Sequence, residues 1–171
     1  MLLAIDVGNT QTVVGIYQDG SLQYRWRVAT NKSHTSDELR VKLVPLLASE
    51  GLKLDDVRGV ALASVVPALT MAWCAAAYRM IGKDALVCSA ETAGSLFEAD
   101  YPNPHEIGAD RVDGIIRRIF AQLGYETPVV ATGGLASRVA AQSQTITAIN
   151  PELTLEGLRL VYEAQEGAAS V

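Results

Sequence analysis

At 171 residues the chain has room for one good domain, or for one domain and a fragment of another. Apolar residues make up 49% of it, which excludes a disordered chain, and a net charge of −5 with a pI near 5.0 excludes a nucleic-acid-binding surface. Cys74 and Cys88 stand among apolar neighbours, so they read as small buried hydrophobes of a reducing compartment and not as a disulfide or metal site.

The chain opens on an apolar run, residues 2–5, that ends in Asp6-Val7-Gly8-Asn9-Thr10, and a second apolar run, 13–17, follows at once. This pattern predicts a tight hairpin whose loop presents a carboxylate, open backbone N–H groups and a hydroxyl. Gly8 lacks the Cβ that would keep a phosphate at a distance, and Asp6 would face a cation accompanying that phosphate. An ordinary hairpin turn, for which Gly-Asn is also favoured, accounts for the same residues. Asp19-Gly20 then turns the chain into a third strand, 22–29, in which Leu22, Tyr24, Trp26 and Val28 alternate with polar residues.

Thr35 and Glu38 form a capping box ahead of a helix with Leu39, Leu43, Leu46 and Leu47 on one face. Pro45 predicts a kink in it, and Gly51 ends it. Residues 59–78 carry no charge over twenty positions, the length of a membrane span. Ser64 and Pro67 interrupt the run, and a buried strand (60–66) feeding a helix (68–81) explains it better. The amino terminus has neither a basic start nor a cleavage site, so a cytosolic, membrane-free protein is expected. A short strand around Leu86-Val87-Cys88 follows, giving the order β-β-β-α-β-α-β of a mixed α/β layer.

Beyond a loop at 92–108, Gly108-Ala109-Asp110-Arg111 leads into a helix. Its residues Val112, Ile115, Ile116, Ile119, Phe120 and Leu123 make a continuous apolar stripe, stopped by Gly124. A strand (128–131) runs into Thr132-Gly133-Gly134 and a helix from about Leu135. A last helix after Pro151 turns Leu155, Leu158 and Tyr162 inward, and the final five residues are expected to fray.

Asp6-Val7-Gly8-Asn9-Thr10, Ser64-Val65-Val66-Pro67, the segment 101–111 with its Gly-Ala-Asp-Arg ending, and Thr132-Gly133-Gly134 stand in one order along the chain. Together they resemble the type III pantothenate kinases, over nearly the whole length. The resemblance implies a ribonuclease-H-like, actin-like ATPase fold, a homodimer, pantothenate as substrate, and dependence on ATP, Mg²⁺ and a monovalent cation (K⁺ or NH₄⁺). It implies that Asp6, Gly8, Asn9 and Thr10 hold the ATP phosphates and metal, with Thr132, Gly133 and Gly134 beside the adenosine. It also implies Asp110 as general base, and Tyr101, Gly108 and Arg111 as pantothenate ligands. An arginine fork suits the carboxylate that pantothenate carries. By residue type alone, Asp110 reads equally as an N-terminal helix residue stabilised by the helix dipole, and Thr132-Gly133-Gly134 as a strand-to-helix connection. His105, between Pro104 and Glu106, reads as a solvated loop residue.

The chain departs from the family pattern in one respect. The family's second phosphate loop, of the form Asp-Phe-Gly-Thr-Ala-Thr, is not found; the other Asp-Gly pairs, Asp19-Gly20 and Asp113-Gly114, open no such motif. The expected organisation is therefore a ribonuclease-H-like domain over 1–111 and a truncated second domain over 112–171. The joint between them preserves the helical phase of the apolar stripe. Lost or weak catalysis, exposed apolar surface and self-association are the expected consequences. The alternatives are a non-catalytic assembly module with at most weak nucleotide binding, or a sugar kinase or phosphatase sharing only the first hairpin; the 101–111 motif argues against the last.

Overall fold

Three strands at the amino end pair antiparallel: β1 (Leu2–Val7), β2 (Gln11–Gln18) and β3 (Ser21–Ala29). Asp19 and Gly20 both adopt positive φ between β2 and β3, as a two-residue turn matched to strand twist requires. This computed structural model describes residues 1–88 and 109–169. The loop expected at 92–108, with Tyr101, His105 and Gly108, lies outside the described residues.

The capping box is formed: the Glu38 amide donates to the Thr35 hydroxyl at 3.3 Å, and the Thr35 amide donates to the Glu38 carboxylate at 2.8 Å. It opens α1 (Ser36–Ser49), which buries Leu39, Leu43 and Leu47 at four-residue spacing while Leu46 is only half-buried. The helix runs through Pro45. Pro45 and Val41, whose carbonyl lost its intrahelical donor, are both on the exposed side, where water can replace that bond. A 3-10 turn (Leu54–Asp56) leads to β4 (Gly59–Ser64), and α2 (Pro67–Ile81) starts with proline in its first turn and stops at Gly82 in the left-handed region. β5 (Leu86–Val87) completes a five-stranded sheet of order β3-β2-β1-β4-β5, in which β1, β4 and β5 are parallel.

The period of two divides this sheet into faces. Leu3, Ile5, Val14, Ile16, Val60 and Leu62 meet α1 and α2 on one side. On the other, Leu2, Ala4, Tyr17 and Ala61 meet Leu155 and Leu158 of the last helix. The chain divides into two compact units, Met1–Glu98 with Leu155–Val171, and Ala99–Thr154. The last helix, grouped by sequence with the second portion, therefore contributes its inward residues to the first unit's core. Gly59 permits this contact, since a Cβ there would lie 1.8 Å from the Tyr162 hydroxyl. Arg159 ties the helix further, pairing with Glu156 and Glu163 and lying 5.8 Å from the Tyr17 ring centroid.

In the second unit α3 (Ala109–Leu123) is one continuous helix through the expected joint at 111–112. Two-residue strands β6 (Val130–Ala131) and β7 (Ala148–Ile149) pair parallel, with the short α4 (Ala136–Ala140) between them. The strand expected over 128–131 and the helix expected from 135 are thus much shorter than their patterns allow. Among this unit's described residues only Ala136 is buried, and Ile119, Leu123, Val130, Leu135 and Ile149 are all at least 44% exposed. Along the α3 stripe Val112, Ile115, Ile116 and Phe120 are half-buried, while Ile119 and Leu123 stay open. α5 (Leu153–Ala169) is helical to its last described residue, so the fraying expected from Gly167 does not begin by Ala169, where alanine favours the helix.

A polar clamp holds the second unit's long loop. The Asp113 carboxylate accepts from the Gln144 amide at 2.9 Å, the Thr145 hydroxyl at 2.7 Å and the Ser143 hydroxyl, and Arg117 donates to the Gln144 side chain at 2.8 Å. The Gln144 amide, then the Ser143 and Thr145 hydroxyls, hold this carboxyl well below the usual range. A depressed native pKa stabilises the clamp above the unfolded value near 3.8, and this stabilisation is lost as pH falls below it. Hydrogen-exchange protection at Gln144 and Thr145 should therefore drop on acidification below about pH 4. Asp113→Ala should remove both the protection and its pH dependence; protection that survives in the variant would show the clamp to be unimportant.

Candidate functional site

The first unit's polar loop lies at the carboxyl ends of β1 and β4, where open α/β sheets bind ligands. Asp6 shares a face of β1 with Leu2 and Ala4, opposite Val13 on β2 and Ala63 on β4. It is half-buried and has no hydrogen-bond partner among the described residues. Burial pushes its pKa up. A half-buried carboxylate without a protein donor is stabilised in its charged form by a cation.

Residues 8–10 connect β1 to β2. The Gly8 amide donates to the Gln11 carbonyl at 3.0 Å, and a Cβ on Gly8 would lie 2.9 Å from that oxygen, so the turn is built around glycine. The Thr10 carbonyl accepts from the Thr30 amide at 2.9 Å. Asn9 and Thr10 are exposed, and their amides have no protein acceptor among the described residues. Two successive exposed amides without a protein acceptor among the described residues are donors that an anion can use. Next to the loop, the Val65 amide bonds the Val7 carbonyl at 3.0 Å, joining the end of β1 to the start of α2.

The other expected site residues belong to the second unit. Asp110 and Arg111 lie in the first turn of α3. Thr132, Gly133 and Gly134 are exposed after β6, with Gly133 at φ 94° and its carbonyl accepting from the Ala136 amide at 3.2 Å. This is a strand-to-helix connection by its geometry. Tyr101 and Gly108 lie outside the described residues. The structure thus brings Asp6, Gly8, Asn9 and Thr10 together in one turn.

Two residues behind this turn carried only a faint sequence signal. Thr12 interrupts the inward apolar series with Val14 and Ile16, and is the one buried polar side chain among the described residues. Its hydroxyl lies 2.9 Å from that of Thr30.

The family profile described as type III pantothenate kinase matches residues 2–141. A type III pantothenate kinase of Moorella thermoacetica is 29% identical over 252 aligned positions, covering 95% of this chain and 99% of the relative. Those of Roseiflexus castenholzii and Geobacter sulfurreducens are 28% and 29% identical, each covering 95% of this chain and 98% of the relative. Ninety-five per cent of 171 residues is about 162, so about 90 of the 252 positions shared with the Moorella protein carry no residue of this chain. A solved structure of an N-acetylglucosamine kinase candidate from Porphyromonas gingivalis has a TM-score of 0.40 and 22% identity. It covers 51% of this chain and 32% of that one, too slight a likeness to bear on the fold.

Proposed function

The chain belongs to the type III pantothenate kinase family, and from that membership we propose that it binds ATP with Mg²⁺ at residues 8–10 and phosphorylates pantothenate weakly. The observation that carries the binding half is the turn itself: a half-buried Asp6 and the amides of Asn9 and Thr10, none of which has a hydrogen-bond partner among the described residues. The approximately 90 unmatched positions carry the attenuation.

These residues fit the cofactor. Mg²⁺ keeps its waters and takes one or two carboxylates together with nucleotide phosphates, a demand that a single half-buried carboxylate meets. Asp6 supplies the carboxylate, and Gly8, Asn9 and Thr10 line the phosphates, with Thr132, Gly133 and Gly134 at the adenosine. A metal held there would neutralise charge on the transferring group. Asp110 accepts the proton of the attacking hydroxyl, while Tyr101, Gly108 and Arg111 orient pantothenate, Arg111 through its carboxylate. The product is 4′-phosphopantothenate, at the first step of coenzyme A synthesis.

The sheet order β3-β2-β1-β4-β5, antiparallel then parallel, supports a ribonuclease-H-like, actin-like unit. We place the lost block between Arg111 and Val112, leaving 112–171 as the remnant of a second domain without its phosphate loop or monovalent-cation site. The exposed apolar residues of that remnant support self-association as a homodimer. Family membership supports a cytoplasmic enzyme; no described helix is long and apolar enough to cross a membrane.

A second reading, a nucleotide-binding module without turnover, is favoured by the same unmatched positions. Incubation with Mg·ATP and pantothenate, read by mass spectrometry, decides between them. Trace product that disappears in Asp110→Asn supports the kinase. Nucleotide binding without product supports the module, and a folded chain that binds no Mg·ATP overturns both.

A further inference from the structure

We propose that Thr30, held by the buried hydroxyl of Thr12, is a positioning residue for the turn at 8–10. The turn is exposed; the pairing of Val7 with Thr12 holds its two ends, and the bond from the Gly8 amide to the Gln11 carbonyl closes it. The bond from the Thr30 amide to the Thr10 carbonyl, 2.9 Å, adds an attachment at the turn itself, from the third strand. It extends the β2–β3 ladder by one rung beyond the pairing of Gln11 with Ala29.

Thr30 owes its orientation to its side chain. Its hydroxyl lies 2.9 Å from the hydroxyl of Thr12, which is 2% exposed, and either can donate. Thr12 points to the helix side of the sheet, and Leu39 of α1 with Leu69 and Trp73 of α2 line the same small space. Asn31, His34 and Lys42 also line it, and removing the Thr12 hydroxyl takes from Thr30 the one side-chain partner it has among the described residues. The latch thereby couples the turn's free amides to the packed helices, and amides held in place before a ligand arrives bind anions better than amides ordered by it.

The latch stands on its own geometry; its effect on ligand binding rests on the nucleotide reading above. The test compares Thr12→Val, which keeps the shape and removes the hydroxyl, with Thr12→Ser, which restores it. Hydrogen-exchange protection of the Thr30 amide should fall about 5–10-fold in Thr12→Val relative to core amides of β1, as expected for one net hydrogen bond, and recover in Thr12→Ser. The Kd for Mg·ATP should rise several-fold in Thr12→Val only. Unchanged Thr30 protection in Thr12→Val, or equal loss in both variants, overturns the latch. A wild-type chain that binds no Mg·ATP overturns the nucleotide reading, while the exchange comparison still decides the latch.

Discussion

Leu155→Ala is expected to lower the stability of the first unit by roughly 2–5 kcal/mol, the range for truncating a buried leucine. Leu155 is 2% exposed, and with Leu158 it covers the sheet face formed by Leu2, Ala4, Tyr17 and Ala61. The fit is close: a Cβ on Gly15 would lie 2.8 Å from Leu155 Cδ1, so the strand beneath has no side chain with which to fill the space left by alanine. The cost should therefore include a cavity as well as lost burial. Leu160, on the same helix and 51% exposed, is the control, and Leu160→Ala should change stability by less than about 0.5 kcal/mol. Urea unfolding of both variants measures the difference. Equal and small effects would mean that α5 is dispensable to the unit it packs on.

Asp6→Asn should stabilise the fold and at the same time weaken Mg·ATP binding by about tenfold or more, near 1.4 kcal/mol. The two effects share one cause. Burial raises the native pKa of Asp6 above its ordinary value of 3.8, so its ionised form is unfavourable in the folded protein without a cation. Between 3.8 and the raised value the native state binds more protons than the unfolded chain. Stability therefore falls as pH rises through that window and stays reduced above it. Asparagine cannot ionise, so thermal melting of the variant should exceed that of the wild type at neutral pH and converge with it near pH 3. A variant less stable than wild type at pH 7 would show that Asp6 has a structural partner. Undiminished Mg·ATP affinity would remove it from the metal site.

Acid should thus act oppositely on the two units. It relieves Asp6 in the first and dissolves the Asp113 clamp in the second. The contrast follows from hydrogen bonding: Asp113 accepts from three neighbouring residues, whereas Asp6 accepts from none among those described.

Features set by neighbours in sequence were legible without coordinates. The alternation of 22–29, the Thr35–Glu38 capping box, the start of α2 at Pro67 and the turn at Asp19-Gly20 each depend on a few adjacent residues, and each is present. The turn at 8–10 was legible for the same reason. Its ordered set of companion motifs also pointed to the family that the comparisons then established. Patterns whose meaning depends on a distant partner were read less well. The α3 stripe has perfect helical phase, yet Ile119 and Leu123 stay exposed because periodicity says which face is apolar and not whether anything covers it. The 128–131 strand shortened because a strand's length is set by its partner, here only Ala148–Ile149.

By itself, then, the sequence determined the strands and helices of the first unit, the hairpin turn at 8–10 and the family. Tertiary structure alone decided that the last helix seals the first sheet, that Asp6 is half-buried with no donor among the described residues, and that Thr12 and Thr30 meet. The reason is range. Caps, turns and periodicity are energies of residues within one or two turns of each other, whereas burial and hydrogen-bond partnership at Leu155, Asp6 and Thr12 are decided by segments separated by a whole strand or by most of the chain.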